Sequence, residues 1–141
     1  MFKKIIFLLL MSISVVNAGE INLQKSYSSA MEVAKKENKP VFYMISNENC
    51  PPCRRMAATT LKDENIIKML NKEFISVISY TNLANDIPRK LHTGGTPTLW
   101  FLLTDGTPMY QPIMGGMGAQ HFLLALKAVK KEFNSVQTKG K

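Results

Sequence analysis

Apolar residues recur in short blocks along the chain, and the period of each block predicts its element. Residues 5–16 form an apolar run broken only by Ser12 and Ser14. Residues 21–25 read as a short extended segment. Ser26 or Ser28 then caps a helix reaching about Asn38, with Ala30, Met31, Val33 and Ala34 on its buried side. The helix ends before Pro40, because a residue preceding proline is pushed out of the helical region. Val41-Phe42-Tyr43-Met44-Ile45 is an unbroken apolar run rich in β-branched and aromatic residues, which predicts a central strand buried on both faces. After polar Ser46-Asn47-Glu48-Asn49, a helix starts at Pro51 and runs toward Leu61. Asp63 caps a further helix carrying Ile66, Ile67, Met69 and Leu70.

The second half repeats the alternation. Residues 74–78 predict a strand, and residues 84–91 a weak helix interrupted by Pro88. Thr98-Leu99-Trp100-Phe101-Leu102-Leu103 is another apolar strand, with Asp105-Gly106 as a hairpin turn. Residues 107–112 return as an edge strand, a place that tolerates Pro108 and Pro112. A glycine loop, Gly115-Gly116-Met117-Gly118, leads to a last amphipathic helix over residues 119–133. The expected fold is α/β: a central mixed sheet flanked by helices on both faces. The expected layout is a signal peptide over 1–18, one domain over 19–134 and a flexible polar tail over 135–141.

Composition narrows the function. A chain of 141 residues that is 45% hydrophobic suits one globular core and is too apolar for disorder. Its formal net charge is +8, two of which belong to Lys3 and Lys4. The pairs Lys35-Lys36, Arg54-Arg55 and Lys130-Lys131 are scattered and lack interleaved aromatics, so nucleic acid is not an expected partner. At the N-terminus, a basic Met1-Phe2-Lys3-Lys4, the apolar run and Val16-Asn17-Ala18 have the layout of a secretory signal cleaved after Ala18. An uncleaved anchor is the competing reading, and the lack of a cysteine near Ala18 excludes a lipoprotein. Export to an oxidising compartment, the periplasm of a bacterium, is the expectation.

The chain has two cysteines, Cys50 and Cys53, in Cys50-Pro51-Pro52-Cys53. Closing so small a loop removes little unfolded-state entropy, so the pair is a poor structural staple. Reactivity is the better reason for it. A thiolate attacks disulfides, and a helix N-terminus stabilises negative charge through its free N–H groups and dipole. Pro51 and Pro52 suit the first helical turn but remove two donors from the neighbourhood of Cys50, leaving the Cys53 amide. That arrangement favours a modestly activated Cys50 and a reductant over an oxidase. Cys50 is assigned as nucleophile and Cys53, one turn in, as the residue resolving the mixed disulfide. Two cysteines with His92 and His121 make a poor ligand set, so no metal is expected. Met31, Met44, Met56 and Met69 lie in core patterns, whereas Met109, Met114 and Met117 flank the glycine loop and could line an apolar docking surface.

The strand before the motif, the Cys50-Pro51-Pro52-Cys53 turn and the Gly95-Thr96-Pro97-Thr98 loop together resemble the thioredoxin-like superfamily, and the resemblance runs from Ile21 to Phe133. It implies a thiol–disulfide oxidoreductase with no cofactor beyond its own disulfide. Thr96 and Pro97 match a cis-proline loop that offers a backbone edge to substrate, and Gly115 matches a glycine beside the groove. It also implies cysteine-bearing client proteins, a membrane thiol-electron relay as redox partner, and a monomer. Two departures stand out. Met44 replaces the buried aspartate that many thioredoxins use to relay a proton to the resolving cysteine, with Glu48 nearby as a weak substitute. Ser46 and Asn49 replace the usual tryptophans. Thr96 before Pro97 resembles the reducing and isomerising branch more than the oxidising one. Within the fold, an oxidase, an isomerase or a non-catalytic binding module are the alternatives.

Overall fold

The computed structural model describes residues 19–83 and 86–140. The signal-peptide reading of residues 1–18 and the last residue of the tail fall outside them. Strands β1 (Leu23–Gln24), β2 (Val41–Ser46), β3 (Ile75–Tyr80), β4 (Thr98–Leu102) and β5 (Ile113–Met114) form one sheet in the order β1-β3-β2-β4-β5. The sheet is mixed: β3 runs parallel to β1 and β2, while β4 is antiparallel to both β2 and β5. All six residues of β2 are buried, as an unbroken apolar run at the sheet centre requires.

The two faces of β2 feed two cores. Phe42 and Met44 point to the side covered by α2 (Pro51–Ala58), α3 (Glu64–Glu73) and α4 (Ala119–Lys139), where they pack with Met56, Ile66, Phe101 and Phe122. Val41, Tyr43 and Ile45 point to the other side, where α1 (Tyr27–Glu37) lays Ala30 and Ala34 against them. This is the predicted layering. Met31 and Val33 are only half-buried, because the two alanines occupy the stripe closest to the sheet.

Boundaries differ where special residues act. The helix from Pro51 stops at Ala58 and resumes as a 3-10 turn, Thr60–Lys62, instead of running to Leu61. Residues 107–112 form no strand. Pro108 makes a single bridge to Leu102, and the edge strand is Ile113–Met114, where both residues carry the N–H groups that proline lacks. Of the weak helix expected over 84–91, only a 3-10 turn at Arg89–Leu91 is present, starting after Pro88; residues 84 and 85 lie outside the description. Helix α4 continues to Lys139 instead of ending near Phe133. No proline or glycine interrupts it before Gly140, so adding each residue to an existing helix is easy.

The start of α1 shows how distant segments are joined. The first amide groups of a helix have no intrahelical acceptor. Ser26 caps α1, accepting from the Ser29 amide at 3.1 Å, while the Ser29 hydroxyl accepts from the Ser26 amide at 3.1 Å. The two amides between are taken by Asp86, from the loop after β3: Tyr27 N donates at 3.0 Å and Ser28 N at 2.8 Å. The Ser28 hydroxyl adds a third bond at 2.6 Å. Partial burial pushes the Asp86 carboxyl up, but the Ser28 hydroxyl and the Ser28 and Tyr27 amides outweigh it and hold the group below the ordinary carboxylate range.

An acid with a lower pKa in the folded state contributes stability that is complete above its unfolded pKa. That contribution is lost as pH falls through the folded value. Replacing Asp86 by alanine is expected to cost about 1–2 kcal/mol at neutral pH, the size of a lost helix cap. Urea melts of both proteins between pH 7 and 3 check this: the difference should shrink toward the acid end.

Candidate active site

The loop between β2 and α2 is organised before the cysteines are reached. The Asn47 side-chain oxygen accepts from the Asn49 amide at 2.8 Å, and the Asn47 carbonyl accepts from the Cys50 amide at 3.1 Å. Asn47 Nδ2 donates to the Thr81 hydroxyl at 2.8 Å. The Glu48 amide donates to Asn82 Oδ1 at 3.1 Å, and Asn82 Nδ2 donates back to the Glu48 carboxylate at 3.0 Å. Five bonds therefore stitch this loop to itself and to the residues that follow β3. Exposed Glu48, the candidate base for Cys53, has its carboxylate committed to Asn82.

Cys50 is the N-cap of α2, with Pro51 and Pro52 at the first two helical positions. Its sulfur accepts a hydrogen bond from the Cys53 amide at 3.3 Å. The two proline nitrogens carry no hydrogen, so the first turn has one amide donor to offer where an ordinary helix start has three. Cys50 and Cys53 are joined as a disulfide with a Cα–Cα distance of 5.3 Å. Their environments differ. Cys50 is half-buried, whereas Cys53 is 2% exposed and packs in the same apolar cluster as Met44, Met56 and Phe122.

The opposite wall comes from the start of β4. The Thr96–Pro97 peptide bond is cis, and the Thr96 carbonyl oxygen lies 3.4 Å from Cys50 Sγ. In the reduced protein this oxygen can accept from a Cys50 thiol but repels a thiolate, so it favours the neutral form. Threonines brace the loop: Thr98 Oγ1 donates to the Gly95 carbonyl at 2.7 Å and lies 2.7 Å from the Thr93 hydroxyl. The Pro97 carbonyl accepts from the Gly115 amide at 2.9 Å, which ties the glycine loop to the cis-proline loop. Gly115 has φ +81, a backbone conformation that a side chain would strain. Buried Thr60 donates to the Met117 carbonyl at 2.6 Å and fixes the far end of that loop.

The structure thus brings Cys50, Cys53, Pro51, Pro52, Thr96 and Pro97 together, with Gly115 one hydrogen bond further out. A profile of the thioredoxin-like domain matches residues 27–130. The chain belongs to the thioredoxin-like family. It is 32% identical over 96 residues to spermatogenesis-associated protein 20 of Rattus norvegicus, a match covering 62% of this chain and 12% of that protein. The chain thus spans a small part of the relative's length. Among solved structures, DsbH oxidoreductase superposes with a TM-score of 0.63 at 20% identity, covering 82% of this chain and 89% of that one. The oxidised C-terminal domain of Neisseria meningitidis DsbD superposes with a TM-score of 0.57 at 24% identity, covering 72% and 90%. These likenesses concern the fold.

Residue types alone did not single out Thr60, Thr93, Thr98 or Asp86, since threonine and aspartate have many surface uses and their partners are distant in sequence. His92 and His121 are exposed, and among the described residues no group of three or more His, Cys, Asp or Glu side chains is arranged to hold a metal ion.

The thioredoxin-like arrangement gives the two thiols of the reduced protein unequal access. Brief treatment with substoichiometric iodoacetamide should place the label on Cys50 and leave Cys53 unmodified, as read by peptide mass mapping. Equal labelling would contradict the burial of Cys53.

Proposed function

We propose that this thioredoxin-like protein is an exported thiol–disulfide oxidoreductase that reduces disulfides in client proteins. The observation that carries the direction is the surroundings of the Cys50 sulfur: one amide donor, from Cys53, set against the Thr96 carbonyl oxygen. An oxidase gains its driving force from a strongly stabilised thiolate in the reduced form. Here Pro51 and Pro52 withhold two donors and the Thr96 oxygen disfavours the anion. The reduced form is therefore the readier electron donor.

The reaction needs no cofactor. The Cys50 thiolate attacks one sulfur of a client disulfide, forming a Cys50–client bond and expelling the client's other sulfur as thiolate. The Cys53 thiolate then attacks the Cys50 sulfur, closing the intramolecular disulfide and releasing the second client thiol. Two electrons pass to the client, and the oxidised protein is the form seen here. Glu48 is held by Asn82 and Met44 is apolar, so neither serves as base, and the proton of Cys53 passes to the client thiolate expelled in the first step. Thr96, Pro97 and Gly115 present the backbone edge on which the client strand lies. The N-terminal pattern of residues 1–18 supports export to the periplasm. Repeated turnover there requires electrons from a membrane thiol relay, and the exchange itself asks only for a monomer. Among the described residues, no helix is long and apolar enough to cross a membrane.

Two measurements check this reading. Cys53→Ala should accumulate mixed disulfides with clients, visible as dithiothreitol-sensitive bands on non-reducing gels, whereas Cys50→Ala should accumulate none. Wild type should reduce insulin, and its equilibrium with glutathione should lie toward the Cys50–Cys53 disulfide. An equilibrium as oxidising as that of a dedicated oxidase would overturn the assigned direction.

A further inference from the structure

Helix α2 carries Pro52, Arg55 and Met56 along one stripe, continued by its C-cap Thr59, at the three- and four-residue spacing that puts helical side chains on a common face. Facing this stripe is the glycine loop, residues 116–118, and between them lies a cleft of about 240 Å³. The cleft begins at Pro52, inside the redox motif, so it continues directly from the site described above. Its loop wall is held in place by two bonds already noted, Gly115 to Pro97 and Thr60 to Met117.

Its chemistry is asymmetric. Pro52, Met56 and Met117 make it largely apolar, and the one charged residue lining it is Arg55. The three ion pairs formed among the described residues involve lysines, and none involves Arg55. A guanidinium at the rim of an apolar cleft, without an internal carboxylate, is placed to receive one from outside.

Resting on the disulfide exchange proposed above, we infer that Arg55 and this cleft select client segments carrying Asp or Glu two or three residues from the reacting cysteine. The spacing follows from geometry. Arg55 lies five positions beyond Cys50, about 7.5 Å along a helix at 1.5 Å per residue. An extended client advances about 3.3 Å per residue, so two or three residues cover the same span. A pair at about 4 Å in a water-like environment is worth roughly a fivefold change in rate.

The test uses disulfide-linked peptide dimers with blocked termini, identical except for Glu, Gln or Lys two or three residues before or after the cysteine. Single-turnover reduction by the dithiol form of the protein is divided by the rate with dithiothreitol, which removes intrinsic differences among the peptides. Wild type should prefer Glu to Lys by about fivefold or more at one of these positions at low salt, with the preference falling as salt screens the pair. Arg55→Gln should bring the Glu/Lys ratio to near one, whereas Arg55→Lys and Arg54→Gln should retain it. A within-protein ratio is insensitive to any change these variants make in the reactivity of Cys50. Equal wild-type rates, a preference surviving Arg55→Gln, or its loss in Arg54→Gln would overturn the subsite while leaving disulfide exchange intact. Failure of the wild type to reduce every peptide would overturn both.

Discussion

The hydrogen bond from the Cys53 amide to the Cys50 sulfur is the contact on which this site turns. It exists because a buried strand ends at Ser46, a braced loop follows, and α2 begins with Cys50 as its cap. It stands alone because the next two residues are prolines. The same helix start that would make a strongly stabilised thiolate with ordinary residues makes a weaker one here. The Thr96 oxygen, arriving from the other side of the sulfur, acts in the same direction. Motif and cis-proline loop thus set the electrostatics of one atom jointly, although 46 positions separate them in the chain.

Everything nearby serves to hold that geometry. Asn47, Thr81 and Asn82 bind the loop before the motif to the strand beside it. Thr93 and Thr98 brace the cis-proline loop, and Gly115 joins it to the glycine loop. Cys53 is shielded within the apolar core, where Met44 provides packing and no proton relay. The result is a half-buried nucleophile beside a buried resolving partner, framed by a braced loop before the motif and by a cis-proline loop tied to the glycine loop.

Much of this was legible in the chain. The apolar run from Val41 to Ile45 located the central strand, and the resemblance carried by Cys50-Pro51-Pro52-Cys53 and Gly95-Thr96-Pro97-Thr98 implied both walls of the site. Local signals erred where termination depends on context. The Asp105-Gly106 turn suggested a returning edge strand over 107–112, but the strand exists only at Ile113–Met114, and the polar character of residues 134–139 concealed a helix that simply continues. Asp86 escaped notice for a different reason. Its partners are the amides of Tyr27 and Ser28, which lie almost sixty positions away, and no periodicity in one segment can announce a cap supplied by another. The threonine braces and the Arg55 cleft are invisible for the same cause, being products of tertiary contact.

The central claim is that Cys50, with one amide donor and an opposing carbonyl, keeps the pair an electron donor in its working compartment. The redox state of Cys50 and Cys53 in living cells tests it most directly. Acid quenching followed by thiol labelling with a mass-shifting maleimide reads that state without disturbing it. The account predicts a predominantly reduced pair under steady growth. A predominantly oxidised pair would contradict it and assign the protein to disulfide formation instead.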